Sequence, residues 1–216
     1  MPLLNIVDTS CREREQEVYN ARDVLVGFPY DRPGQHRIMT KPELPIQHMD
    51  ERHPGLTPNL AGTYHEAACV SLSANHSPPQ DFELFNDEGQ SITEVRWQPP
   101  DARCSRAWAN RDDATRDGAY ACAIAAVELL SGLYAIGRAE TLTGADYYVA
   151  PVSEDLVDLE VCIRLEVSGT QSDQYEVRRR LSDKIKQARA GKSNLPAIAV
   201  VVGFRAKSIM MRSVDK

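Results

Sequence analysis

The chain is short of aromatic residues, has no paired-cysteine motif and lacks the common glycine loops that cradle phosphates. Each absence removes a class of function. Only 6% of its 216 residues are aromatic, so a surface that stacks successive bases on aromatic rings is not indicated. The five cysteines (Cys11, Cys69, Cys104, Cys122 and Cys162) are odd in number and never spaced as CxxC. That excludes a zinc ribbon and a disulfide framework and fits a reducing, cytoplasmic setting. Neither GxxxxGK[ST] nor GxGxxG occurs, and Ser168-Gly169 is not part of a GxSxG elbow, which counts against the usual nucleotide-binding enzymes and serine hydrolases. No basic segment followed by an apolar one opens the chain, so no secretory leader is expected. The most apolar stretch, Gly118 to Gly137, is rich in Ala and carries Glu128 near its middle. It reads as a buried helix and not as a membrane span, and no membrane partner is expected.

What is present is unevenly distributed. The net charge is −6, but residues 1–100 carry −7, residues 101–173 carry −7 and residues 174–216 carry +8. The acidic total therefore conceals a basic C-terminal fifth, and a total says nothing about such a patch. Eleven of the thirteen prolines lie in residues 1–100. Proline removes a backbone donor and biases its predecessor away from helix, so the two parts are expected to be built differently. Residues 1–100 read as a Pro-rich N-terminal accessory region and 101–216 as an α/β core.

Within the first part, residues 29–60 are expected to be extended and irregular, with a helix over 61–75 and a hairpin formed by FELF and SITEVRW around NDEGQ. In the second part, a helix is expected over 119–136, with Asp117 as its cap and Gly137 as its stop. RAETLT and ADYYVA read as short strands. Residues 158–168 alternate with period two, Leu159, Val161, Ile163, Leu165 and Val167 on one face and Glu160, Arg164, Glu166 and Ser168 on the other. Residues 175–190 form an amphipathic helix striped by Val177, Leu181, Ile185 and Ala188. AIAVVVGF (197–204) has the unbroken apolar character of a strand buried on both faces, and SIMMRSV reads as a closing edge strand. The order is helix, three strands, helix, strand, around a mixed sheet flanked by helices.

A strand whose polar face carries Glu166 is either solvent-facing or lines a site. Asp146, near the start of the preceding strand, can converge with Glu166 at one edge of the sheet, and two carboxylates suit a hard cation such as Mg²⁺ or Mn²⁺. With GADYYV supplying Asp146 and RLEVSGT supplying Glu166, the arrangement resembles the PD-(D/E)XK nuclease superfamily over residues 115–205. The resemblance implies a restriction-endonuclease-like core, a metal held by Asp146, Glu166 and the Val167 carbonyl, and hydrolysis of phosphodiesters in nucleic acid, DNA ahead of RNA. It also suits bacterial defence. Ser168 occupies the position of the family's catalytic lysine and cannot supply a cation. Some members take that lysine from the next helix. At 100° per residue, Lys184 lies about 20° from Val177 on the sheet-facing stripe, whereas Lys186 lies about 180° away. Lys184 is thus the substitute candidate, and Arg178, Arg179 and Lys186 suit phosphate contacts. In a subset of the family a first-helix Glu joins the metal, a role that Glu128 could match, with Glu140 and Glu160 as weaker additions.

His65-Glu66-Ala67-Ala68-Cys69 mimics a zinc-protease helix but has Cys where the second His belongs. A rival reading keeps the nuclease fold without catalysis: a binding or scaffold protein whose lysine was lost at Ser168. Such a protein would hold nucleic acid, a protein partner or a second copy of the chain, with the N-terminal region making the contact.

Overall fold

A computed structural model describes residues 41–140, 143–151 and 162–214. Glu160, the first residues of the strand expected at 158–168, and the 29–40 part of the irregular stretch lie outside the described residues.

The Ala-rich segment forms α3 (Arg111–Ser131), which starts and stops earlier than its composition suggests. Asn110 caps it, the side chain accepting from the Asp112 N–H at 3.1 Å. Asp112 and Asp113 then place negative charge in the first turn, where the helix dipole favours it. The stop is Gly132 at φ 61°, whose N–H donates to the Glu128 carbonyl at 2.9 Å. Gly137, the expected stop, lies within the strand that follows. The helix is buried almost all round from Gly118 to Val127, so no polar stripe marked its phase or its ends. Its small residues are explained by what it touches. A Cβ on Gly118 would come within 2.8 Å of the backbone of Ala67 and Ala68 in α1 (Pro58–Ser73). On the other side, a Cβ on Gly169 of the sheet would come within 2.5 Å of the Thr115 carbonyl.

Seven strands form one mixed sheet. They are β1 (Gln80–Phe85), β2 (Gln90–Val95), β3 (Tyr134–Arg138), β4 (Tyr147–Ala150), β5 (Ile163–Thr170), β6 (Ala197–Gly203) and β7 (Ser208–Val214), in the order β2-β1-β7-β6-β5-β4-β3. The β5–β6 and β1–β7 pairs are parallel and the others antiparallel. Helix α4 (Gln174–Ala190) makes the crossover from β5 to β6. The unbroken apolar run of β6 is divided between two cores. Ile198, Val200 and Val202 pack with α1 and α3, while Ala197, Ala199 and Val201 pack under Val177, Leu181 and Ala188 of α4. The short helix α2 (Ala102–Ala107), capped by Asp101, lies between β2 and α3 in the chain.

Three expectations change. The strand before Asp146 is β3, built partly from residues expected to end the helix, and the described residues of RAETLT after Arg138 form no strand. β7 is an interior strand, because the β1–β2 hairpin adds to its outer side. For the same reason residue 100 is no break among the described residues: the hairpin and α1 belong to the same sheet and core as the rest. The Pro-rich segment bonds one residue on each sheet edge. Leu44 donates to the Glu94 carbonyl on β2 at 2.9 Å, and Gly55 donates to the Ala135 carbonyl on β3 at 2.9 Å. At these two residues, edge groups that would otherwise invite other chains are covered in this way. No described helix is long and apolar enough to cross a membrane.

Candidate active site

The site lies where β4 and β5 part. Their last pair is Tyr147 with Leu165, and β5 continues to Thr170. Asp146 is the residue just before β4, and its N–H donates to the Leu165 carbonyl at 2.8 Å. With no further β4 residue opposite, the Val167 N–H is free to donate to Asp146 Oδ2 at 2.8 Å. Asp146 Oδ1 accepts from the Tyr120 hydroxyl of α3 at 2.9 Å. Each carboxylate oxygen thus takes one fixed donor, which sets the orientation of the group and leaves it acceptor capacity.

Leu165 and Val167 point into the α3 core, so Glu166 between them faces α4 and is 7% exposed. There Lys184 Nζ donates to Glu166 Oε2 at 2.7 Å. Burial raises the Glu166 carboxyl above its ordinary range, Lys184 opposes that, and the nearby Asp146 charge adds to it. The Tyr120 hydroxyl is pushed well up by burial and by Asp146, so it remains a donor to that carboxylate.

The α4-facing side of β5 is covered, in contrast to a wet sheet face. Arg164, 1% exposed, donates to the carbonyls of Leu195 (3.1 Å), Thr143 (2.9 Å) and Ala188 (3.1 Å). It ties the end of α4 to the loop that delivers Asp146. Gly144 and Gly191 make room for it: a Cβ on Gly191 would fall 2.8 Å from Arg164 Nη1.

Asp146, Glu166 and Lys184 line one open cleft of about 560 Å³, together with Arg138, Glu140 and Gln187. Compared with protein-family models, with curated proteins and with solved structures, the chain matches none. What the cleft can do is therefore argued from its own residues. Among the described residues no three His, Cys, Asp or Glu side chains gather as a metal cage. Two carboxylates lining an open cleft are nevertheless of the type that suits Mg²⁺, which binds through one or two carboxylates and retains water.

The other candidates lie elsewhere. Glu128 is eight residues along α3 from Tyr120, about 12 Å at the helical rise. It binds Arg52 Nε at 2.7 Å and His53 Nε2 at 3.0 Å, away from the cleft. Tyr120, not a glutamate, is what the first helix contributes. Ser168 is half-buried, paired with Val201 of β6, and does not line the cleft. Arg178, Arg179 and Lys186 are exposed on α4 and do not line it either. Arg179 is engaged by Glu176 at 2.7 Å and Asp183 at 3.1 Å, and Lys186 approaches Asp183 at 3.4 Å. His65 Nε2 lies 3.7 Å from Cys69 Sγ, and burial raises that thiol to about 11.

The sequence pattern places Arg164 only on the polar face of its strand and gives Tyr120 and Arg138 no place at the site. A signal for Tyr120 existed: it is the single aromatic residue of α3, and a buried phenol needs a partner for its hydroxyl.

Proposed function

We propose that the chain is a metal-dependent phosphodiesterase acting on nucleic acid, with a PD-(D/E)XK-like site in a restriction-endonuclease-like core. The observation that carries this reading is the meeting of Asp146, Glu166 and Lys184 in one cleft, with the ammonium 2.7 Å from the Glu166 carboxylate. The order α3, β3, β4, β5, α4, β6 supports it, with Asp146 directly before β4, Glu166 on β5 and Lys184 on α4.

Mg²⁺ or Mn²⁺ held by Asp146, Glu166 and the Val167 carbonyl would lower the pKa of a bound water and stabilise charge on the phosphoryl group. The chain's own residues do the rest. Tyr120 and the Val167 N–H fix Asp146. Lys184 has three N–H donors, one on Glu166, and the others can hold the attacking water or a phosphoryl oxygen. Hydrolysis forms one P–O bond to water and breaks one to the leaving oxygen, which takes up a proton.

The test is incubation of labelled DNA and RNA with the protein and Mn²⁺. Cleavage by the wild type, lost in Glu166→Gln and Asp146→Asn, is expected. Intact substrate with the wild type, or equal cleavage by Glu166→Gln, would overturn the reading and favour the non-catalytic binding protein suggested by Ser168.

A further inference from the structure

We infer that Arg138 binds a backbone phosphodiester of the nucleic-acid substrate, with the faces of Tyr120 and Tyr147 as its platform. This rests on the phosphodiesterase reading for the identity of the ligand, and on the cleft's geometry for the residue.

Arg138 ends β3 and is paired with Tyr147 across the strands. Its guanidinium carbon lies 5.5 Å from the Tyr120 ring centroid and 5.4 Å from that of Tyr147, within cation–π range. Both rings are held in place. Tyr147 is fully buried, with its hydroxyl 2.7 Å from that of Tyr64. Tyr120 is anchored through Asp146 at 2.9 Å. The attraction to the ring faces positions the guanidinium without consuming its N–H donors.

The cations in and around the cleft differ in what they have left to offer. Arg164 is buried, with Nε and Nη1 on carbonyls, and does not line the cleft; Lys184 spends one of its three donors on Glu166 and stands at the metal side of the site. Arg138 lines the cleft, and among the described residues its guanidinium makes neither an ion pair nor a hydrogen bond. A phosphodiester entering here meets Asp146, Glu166 and Glu140, all of one sign, and needs a compensating cation. The planar fork of an arginine matches phosphate oxygens two at a time. Tyr120 therefore serves two ends: its hydroxyl orients the Asp146 carboxylate, and its ring carries the cation for the substrate's own charge.

The test uses the full chain and a fluorescein-labelled DNA oligonucleotide in EDTA, with anisotropy measured over a salt series. Arg138→Gln is expected to weaken binding about tenfold and to lower the slope of log K against log salt by roughly 0.7–0.9, one phosphate contact. Arg138→Lys should restore part of the affinity, which shows that the loss is not one of folding. Wild-type affinity and slope in Arg138→Gln would overturn the inference, as would a wild type that does not bind the oligonucleotide. A wild type that binds through Arg138 yet never cleaves with Mn²⁺ upholds the inference and overturns the hydrolase reading alone.

Discussion

Lys184 and Glu166 are 18 residues apart on different elements, yet Nζ and Oε2 meet at 2.7 Å. The contact exists because α4 folds back over the face of β5 that Glu166 shares with Arg164. It puts an ammonium beside the carboxylate although the strand itself offers only Ser168 two residues on. The side chains are 23% and 9% exposed, so the pair is partly withdrawn from water and losing one partner costs more than at the surface.

Removing the cation alone leaves a buried carboxylate without its donor. Lys184→Met is expected to cost about 1–3 kcal/mol in urea unfolding. Lys184→Met combined with Glu166→Leu should recover most of that loss, since neither charge then remains. Additive losses in the double variant would show that the two residues are not coupled.

Arg164 holds four carbonyls from three segments. Arg164→Met is expected to destabilise by about 2–4 kcal/mol, because the abandoned acceptors stay buried. It should also weaken Mn²⁺ binding, since the loop delivering Asp146 loses its anchor at Thr143. Calorimetric Mn²⁺ affinity unchanged from the wild type would disprove that positioning role.

His53 gives stability a definite dependence on pH. It is fully buried, and its Nδ1 accepts from the Ala135 N–H at 3.0 Å, which leaves the proton on Nε2 facing Glu128 at 3.0 Å. Burial holds its pKa below 6.5, with Glu128 opposing the shift. Below pH 6.5 the unfolded chain takes up a proton that the folded one refuses. The contribution is thus complete above pH 6.5 and declines as pH falls toward the folded-state value, by at most about 1.4 kcal/mol per pH unit. Urea unfolding at pH 7.5 and 5.5 should show a smaller difference for His53→Gln than for the wild type. Equal differences would assign the pH dependence to other groups.

Two helical glycines should respond to alanine with opposite signs. Gly62 on α1 is exposed and a Cβ there meets nothing within 4 Å, so Gly62→Ala is expected to stabilise by up to about 1 kcal/mol. At Gly118 the same gain in propensity competes with backbone atoms of α1 at 2.8 Å. That overlap cannot be relieved by a side-chain rotation, and Gly118→Ala should destabilise by about 1–3 kcal/mol. Thermal melts of both variants decide the matter.

Much of this architecture was legible because it is written in local periodicity. The alternation through Leu165 and Val167, the stripe Val177-Leu181-Ala188 and the run 197–203 each specify an element and the face it buries. The same periodicities placed Glu166 and Lys184 on facing surfaces. α3 was harder, since a helix buried all round has no polar face to mark its phase, and the stop fell at Gly132 in place of Gly137. Glu128 stood out as a lone charge, but Arg52 and His53, both from the Pro-rich segment, were the reason for it.

By itself, then, the sequence determined the order of elements and the two faces of the central strands, because side-chain hydrophobicity at periods of 2 and 3.6 acts over a few residues. Only the tertiary structure decided that the β1–β2 hairpin joins β7, that the segment around 41–56 bonds both sheet edges, and that Tyr120 holds Asp146 in the cleft that Arg138 also lines. Those relationships depend on pairing and packing between residues far apart in the chain, which no local pattern encodes.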